Sequence, residues 1–338
     1  MSTAVVCQDQ HLDRAVLVKS LAPGTDKRRL LDEIQALQVI RSKHVVQIYD
    51  LIWYGAGEIV GIVEEYLPGE DLTAVAIPSN ELEFLRLAYP IAEGIADIHA
   101  HGRVHRDIKR QNMKFDAENC LKIFDFGLAR DSASSSTVGS VGTLGYMAPE
   151  LFNPDSKGLV QFTPAVDTFA FGATCLAVLL GKLPSPIRQS PPNLPSASVS
   201  FAPNEIGLSS DVVGMLDSCL NVDPRARPAM SQVKEALGQH LLKDRHRALL
   251  GLRGKTYTLD KKNREVSLSV KDQGSITVTY DGLCFRVSAV SGDVAINNLP
   301  ASGMSELPGS CVIVLGAAPL GSRRTIITVD VAHPEVAL

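Results

Sequence analysis

The chain has 338 residues, of which 45% are hydrophobic and 21% are charged, so it is long enough for two or three globular domains with buried cores. Its formal net charge of −4 leaves no basic surplus. The composition therefore argues against a protein that binds nucleic acid or an anionic membrane surface through charge.

The six cysteines indicate a reducing compartment. They are scattered along the chain without a Cys-x-x-Cys pair, which is typical of free thiols rather than of disulfides or a zinc site. The first residues lack the basic region and apolar run of a secretory signal, and the apolar stretch 169–181 is too short to cross a bilayer. We therefore expect a cytoplasmic protein in which this stretch forms a buried helix.

The first predicted elements are strands and one helix. Residues 16–19 read Val-Leu-Val-Lys, a short apolar strand that ends in a lysine. Residues 30–37 place Leu, Leu, Ile and Leu at helical spacing around Glu33, which predicts an amphipathic helix. Residues 62–69 read Ile-Val-Glu-Glu-Tyr-Leu-Pro-Gly, which predicts a strand that ends in a turn.

Three motifs follow in the middle of the chain. Residues 105–112 read His-Arg-Asp-Ile-Lys-Arg-Gln-Asn, residues 125–127 read Asp-Phe-Gly, and residues 148–150 read Ala-Pro-Glu. The segment 131–142, which lies between the last two, is rich in Ser, Thr and Gly. Each motif alone is common, so the argument depends on their joint order and spacing.

In this order, the motifs resemble those of bacterial serine/threonine protein kinases of the eukaryotic-like (Hanks) type, over about the first 245 residues. The resemblance implies an α+β, bilobal protein-kinase fold at 1–245, with a small lobe at 1–68 and a large lobe at 69–245. It also implies ATP and Mg²⁺ as cofactors, with Mn²⁺ as an alternative, and protein substrates that are phosphorylated on Ser or Thr.

The resemblance assigns catalytic roles to residues that match the motifs. Asp107 would orient the substrate hydroxyl and accept its proton, and Asn112 and Asp125 would be the magnesium ligands. Lys109 is typical of serine/threonine kinases, and Thr143 would contact both Asp107 and Lys109.

Three further residues would have structural roles in such a kinase. Glu150 would form an ion pair with Arg227, which lies after the apolar helix in the chain. Asp167, near the start of that helix, would anchor the segment 105–112, which is the catalytic loop in this family.

The nucleotide site would draw on both lobes. In the family, Lys19 would contact the phosphates and form an ion pair with Glu33, while the backbone from Glu65 to Leu67 would bond the adenine edge. The remaining contacts with the ring would come from Ala4, Leu17 and Lys114.

Two departures from the family pattern leave the activity open. The sequence begins where the glycine-rich loop would have just ended, so the small lobe is expected to lack its first strand and that loop. Glu64 falls at the gatekeeper position, where a carboxylate would compete for the ammonium of Lys19 or need another partner. A pseudokinase or signalling scaffold with weak or no catalysis is therefore the alternative function.

The segment 131–142 resembles an activation loop that phosphorylation, including autophosphorylation, would order. Arg106 is the cation that would pair with a phosphorylated residue. A flexible loop with unused serines is the alternative. The candidate acceptors are Ser132, Ser134, Ser135, Ser136, Thr137 and Ser140.

A linker at 246–256 is expected to lead into a small all-β domain at 257–338, and the stretch from Leu241 to Gly254 has a charged and helical pattern that favours a stiff connection. Period-two segments separated by Gly, Asp and Asn predict about five strands, suited to a sandwich or a barrel. No family is recognised for this domain. Its partner is left open, with substrate recruitment, formation of a homodimer and support of the kinase region as alternatives.

Overall fold

The computed structural model of the chain describes residues 2–21, 27–54, 58–131, 136–138, 142–301 and 303–332. The chain divides into two compact units, and the division lies between Leu237 and Gly238. The first unit contains a sheet followed by a helical part, and the second is built from strands.

The first unit begins with a four-stranded antiparallel sheet in the order β1-β2-β4-β3. Its strands are β1 Ser2–Asp9, β2 Arg14–Leu21, β3 Ile48–Tyr54 and β4 Glu58–Glu65. The helix α1 Arg28–Leu37 forms because Leu30 and Ile34 recur on one face, and this face packs against Ile62 of β4. The predicted strand 16–19 and the helix around Glu33 are therefore both present.

The helical part of the first unit is built around a buried helix. Its helices are α2 Glu81–Ala100, α3 Pro164–Leu180, α4 Ser210–Cys219 and α5 Met230–Leu241. A proline begins α3, and the helix ends at Gly181, whose φ of 73° suits glycine. The residues of α3 from Val166 to Leu179 are buried, so most of the apolar stretch 169–181 lies in the hydrophobic core. None of the helices in the described ranges has the length and apolar content needed to cross a membrane.

Short paired strands position the central motifs. They are β5 Arg103–Val104, β6 Met113–Phe115, β7 Leu121–Ile123, β8 Arg130–Asp131, β9 Ser136–Val138 and β10 Leu159–Gln161. The pairs are β5 with β8, β6 with β7, and β9 with β10. Segment 105–112 therefore runs between β5 and β6, ending in a 3₁₀ turn at Arg110–Asn112, and segment 125–127 lies just after β7.

The second unit holds two antiparallel sheets among its described residues, in the orders β12-β11-β19-β18-β16-β17 and β13-β14-β15. Its strands are β11 Arg247–Leu252, β12 Lys255–Leu259, β13 Glu265–Val270, β14 Gly274–Tyr280, β15 Phe285–Gly292, β16 Val294–Ile296, β17 Leu299–Pro300, β18 Cys311–Leu315 and β19 Thr325–Ala332. Alternate residues of β13 and β19 are buried, so the predicted period of two places one face of each strand in a core.

Residues 246–256 differ from the prediction. The sequence pattern predicts a helical linker here, but β11 and the first residues of β12 occupy the segment. Ala248, Leu250 and Leu252 are all buried on one face of β11, which is the period of a strand. Alanine and leucine favour helices in isolation, but β11 lies between β12 and β19, and pairing with both neighbours decides its conformation.

Candidate active site

A cavity of about 390 Å³ lies between the four-stranded sheet and the helical part of the first unit. Each residue predicted for the nucleotide site lines it, and so do Glu64 and Asp125. The predicted nucleotide residues on its wall are Ala4, Leu17, Lys19, Glu33, Glu65, Leu67 and Lys114. Tyr66, in the middle of the predicted segment from Glu65 to Leu67, also lines the cavity. Val46 and Phe124 line it as well but were not predicted, because they belong to no motif. The sequence signal for Phe124 is that it directly precedes Asp125.

The pairing register of β1 and β2 decides which of their side chains line the cavity. Ala4 pairs with Lys19 and Val6 with Leu17. Because side chains alternate between the two faces of a strand, Ala4, Leu17 and Lys19 lie on the same face of the sheet. That face meets the cavity.

The carboxylate of Glu65, although this residue lines the cavity, is bonded to other parts of the chain. The Glu65 carboxylate bonds the Lys122 ammonium at 2.8 Å and accepts the backbone N–H of Gln47 at 3.1 Å. The N–H of Glu65 donates to the Gln47 carbonyl at 2.8 Å. A ligand at this segment would therefore be bonded by peptide groups other than the Glu65 N–H.

Lys19 lies between two carboxylates. Its Nζ is 2.8 Å from Oε1 of Glu33 on α1 and 2.8 Å from Oε2 of Glu64 on β4. Glu33 Oε1 also accepts the backbone N–H of Phe126 at 3.4 Å, which links α1 to segment 125–127. The carboxylate of Glu64 thus contacts the Lys19 ammonium, which was one of the two alternatives expected from the sequence.

Lys19, Glu33 and Glu64 bring together one ammonium and two carboxyls, and the pKa of the Glu64 carboxyl is raised. Burial raises the pKa of its carboxyl, the Lys19 ammonium lowers it, and the Glu33 carboxylate raises it, with a net pKa of about 7. Burial lowers the pKa of Lys19, but the two carboxylates outweigh burial and hold that pKa above its ordinary value. The lysine therefore stays charged while Glu64 titrates near neutral pH.

The raised pKa of Glu64 predicts a pH-dependent stability difference between the Glu64→Gln variant and the wild type. Between an unfolded pKa near 4.5 and the folded pKa near 7, the folded protein keeps a proton that the unfolded chain loses, so rising pH destabilises the wild type. From pH 5 to pH 8, the unfolding free energy of the wild type should fall by about 2 kcal/mol relative to that of the variant. Denaturant titration at both pH values measures the shift. The exposed Glu118→Gln is the matched control, and an equal shift there would remove Glu64 as the cause.

Thr143 and residues of segment 105–112 together fix both carboxylate oxygens of Asp107. The Thr143 hydroxyl donates to Oδ1 at 2.7 Å, and the Lys109 ammonium donates to Oδ2 at 2.6 Å. Lys109 also contacts Thr143 Oγ1 at 2.8 Å, and the amide Nδ2 of Asn112 donates to Asp107 Oδ2 at 3.0 Å. Burial raises the pKa of Asp107, but these hydrogen bonds and the ammonium outweigh it and lower the pKa below its ordinary value. The carboxylate is therefore ionised at neutral pH and held in one orientation.

Asn112 and Asp125, the predicted magnesium ligands, carry oxygen atoms of the kind that Mg²⁺ prefers. Asn112 uses its amide nitrogen on Asp107, so its oxygen is the atom that a metal ion could bind. Asp125 is exposed on the cavity wall with a φ of 66°, a conformation that non-glycine residues adopt at a cost and often at functional sites. No cluster of three His, Cys, Asp or Glu ligands occurs within the described ranges. Mg²⁺ needs none, because it retains waters and takes few protein oxygens.

Asp167 holds the start of the catalytic loop from α3. It is fully buried, and its carboxylate accepts the backbone N–H groups of His105 at 2.8 Å and Arg106 at 2.9 Å. His99 Nε2 lies 3.0 Å from the same carboxylate. The ring of His105 packs edge-on against Phe126 at 4.6 Å, so the loop is also joined to segment 125–127.

Glu150 and Arg227 form a bidentate ion pair. Nη1 and Nη2 of the arginine bond the two carboxylate oxygens, each at 2.7 Å. The guanidinium is fully buried and also donates to the carbonyls of Asn221 and Ala165. The pair therefore fixes segment 148–150 to the helical part of the first unit.

The candidate phosphorylation sites fall largely outside the described residues. This holds for Ser132, Ser134, Ser135 and Ser140, and Ser136 and Thr137 are described only as backbone in β9. The guanidinium of Arg106 lies over the ring of Phe162 at 4.2 Å. Burial and the nearby Arg130 lower the pKa of Arg106 to about 10. Arg130 forms an ion pair with Asp32, so the charge around the two arginines is partly balanced by a carboxylate.

Comparison with known proteins agrees with this geometry. A family model described as a protein kinase domain matches residues 1–237. The chain is 34% identical over 237 residues to "Serine/threonine-protein kinases drp72" of Corynebacterium efficiens, an alignment that covers 62% of this chain and 44% of that protein. It is 29% identical over 234 residues to "Aurora/IPL1-related protein kinase 2" of Caenorhabditis elegans, covering 67% of this chain and 73% of that protein. The chain thus spans less than half the length of the Corynebacterium relative.

Proposed function

This chain belongs to the protein kinase domain family, and we propose that it is a serine/threonine protein kinase that transfers the γ-phosphate of ATP to protein hydroxyls. The observation that carries the proposal is the fixed orientation of Asp107, whose two oxygens are held by Thr143 and Lys109. That arrangement suits a carboxylate that receives a substrate hydroxyl. The serine/threonine kinases among the relatives support the same class of acceptor.

In the proposed reaction, the oxygen of the substrate Ser or Thr hydroxyl bonds to the γ-phosphorus, and the carboxylate of Asp107 accepts the proton of that hydroxyl. The bond from the γ-phosphorus to the bridging oxygen breaks, and ADP leaves. Lys19, oriented by Glu33, contacts the phosphates of the nucleotide in the cavity. Asn112 and Asp125 would hold Mg²⁺, or Mn²⁺ as an alternative, which neutralises the phosphate charge when bound.

Replacing Lys19 with methionine tests the proposal. Loss of this ammonium should lower transfer from labelled ATP to a Ser/Thr-rich acceptor protein by about 10²- to 10³-fold, as for other preorganised electrostatic contacts. Lys261→Met, at an exposed turn, is the control and should keep the wild-type rate. A folded wild-type chain that binds nucleotide but transfers nothing would support the alternative, a pseudokinase or scaffold.

We further propose that the segment 131–142 is autophosphorylated. The support is its content of hydroxyl residues and the position of Arg130 directly before it, with Arg106 close to Arg130. Mass spectrometry of the labelled wild-type chain would identify the residue. Label confined to other segments would exclude this form of regulation.

For the second unit we propose a β-domain that recruits a protein partner, with a homodimer as the alternative. Its two sheets support a β-sandwich. The cytoplasm is the proposed compartment, because all six cysteines are free thiols.

A further inference from the structure

Glu64 has no part in the proposed transfer, yet its side chain is 1% exposed on the wall of the nucleotide cavity. Its Oε2 is 2.8 Å from Lys19 Nζ. Its Oε1 is also buried and has no hydrogen-bond partner within the described part of the chain. A buried carboxylate oxygen without a donor is costly, and a proton on that oxygen removes the charge.

The charges around Glu64 leave the group with a negative excess. The groups that face it are Lys19 from β2 and Glu33 from α1, while Lys114 from β6 and Asp125 from the loop after β7 lie on the same cavity wall. The strand β3 places an isoleucine opposite it. The Lys19 ammonium thus contacts two carboxylates. The phosphates of a nucleotide would add a third anionic group at the same ammonium.

We infer that Glu64 takes up a proton from solvent when an anionic nucleotide binds at Lys19, and that its neutral carboxyl leaves the ammonium to Glu33 and the phosphates. The inference rests on the proposed nucleotide site. In the balance of the step, one O–H bond forms on Glu64 and the buffer loses one proton. Glu64 is then a positioning residue, because it acts on the nucleotide through Lys19.

The direction of the linkage follows from the free protein. The pKa of Glu64 is about 7 without ligand, and an added anion would raise it further. A ligand that prefers the protonated form binds best below this pKa, and its affinity falls as pH rises through the pKa of the complex. The wild type should therefore bind nucleotide more weakly at alkaline pH.

Calorimetric titration with Mg-ADP tests the inference, using wild type and Glu64→Gln in two buffers of different ionisation enthalpy. At pH 7.5 the wild type should take up about half a proton more than the variant, and the subtraction cancels protons carried by the nucleotide itself. Between pH 6.5 and 8.5 the Kd of the wild type should rise about tenfold more than that of the variant. Glu118→Gln, an exposed carboxylate away from the cavity wall, should behave as wild type.

Equal proton uptake in wild type and Glu64→Gln, with nucleotide bound by both, would overturn the linkage and leave the proposed function intact. Failure of the wild type to bind Mg-ADP would overturn both. If the variant does not fold, carbon-13 NMR of glutamate carboxyls in the wild type replaces it. One carboxyl should titrate near neutral pH and move to higher pH with Mg-ADP, and its absence would refute the inference.

Discussion

Replacing Asp107 with asparagine is expected to lower kcat for phosphoryl transfer by about 10²- to 10⁴-fold, which is the contribution of a positioned general base. The carboxylate is oriented by Thr143, Lys109 and Asn112, so asparagine can take nearly the same place. An amide cannot accept the hydroxyl proton at neutral pH, and its nitrogen would face one of these donors. Single-turnover transfer from labelled ATP to a Ser/Thr-rich acceptor measures the change.

Nucleotide affinity separates this effect from loss of the fold. Asp107 is not among the residues that line the cavity, so Asp107→Asn should bind Mg-ADP as the wild type does. Asp211→Asn, exposed in the first turn of α4, is the matched control and should keep the wild-type rate. A variant that retains most of its kcat would place the proton acceptor elsewhere and remove the main support for the proposed mechanism.

The proximity of candidate site residues can be predicted from the sequence where one short motif contains them. Asp107, Lys109 and Asn112 lie within one loop, so their proximity follows from the chain itself. Thr143 lies 36 residues beyond Asp107 and contacts it at 2.7 Å. That contact was expected from the family resemblance alone, because no local pattern brings the two segments together.

Apolar wall residues and long-range pairing are the parts that the sequence left open. Val46 and Phe124 line the cavity, but apolar side chains occur throughout the core and carry no motif. For Glu64 the sequence left two alternatives, competition for the Lys19 ammonium or another partner. The structure shows that Lys19 contacts Glu33 and Glu64 at once, which depends on the packing of α1 on the sheet.

The second unit shows the same limit for strands. β13 and β18 have the period-two alternation from which strands were predicted in this region. β16 and β17 are two or three residues long, too short for a period to be visible in the sequence. β11 was misassigned as a helical linker because its alternation consists of helix-favouring residues.

The second large effect is expected for Asp167→Asn, which should lower the unfolding free energy by about 3 kcal/mol, as when one partner of a buried charged group is removed. The carboxylate accepts the backbone N–H groups of His105 and Arg106 and contacts His99. Burial raises the pKa of Asp167, but the hydrogen bond from His99 and the nearby histidines outweigh it, so the pKa lies below its ordinary value. An asparagine removes the charge and points an N–H group at one of these donors.

Activity should fall with stability, because Asp167 holds the backbone that leads to Asp107. A displacement of about 1 Å at the reacting groups can cost about 10²-fold in rate, so kcat should drop by about that factor even where the variant is fully folded. Denaturant titration and single-turnover transfer at low temperature measure the two effects separately. The ionised Asp167 stabilises the fold fully at pH values above the pKa that this residue has in the unfolded chain, and the stabilisation is lost as pH falls through its lower folded pKa. The difference in unfolding free energy between wild type and Asp167→Asn should therefore become smaller at acid pH. A variant with unchanged unfolding free energy but lowered kcat would confine Asp167 to orienting the loop, whereas unchanged values of both would mean that these three contacts do not position Asp107.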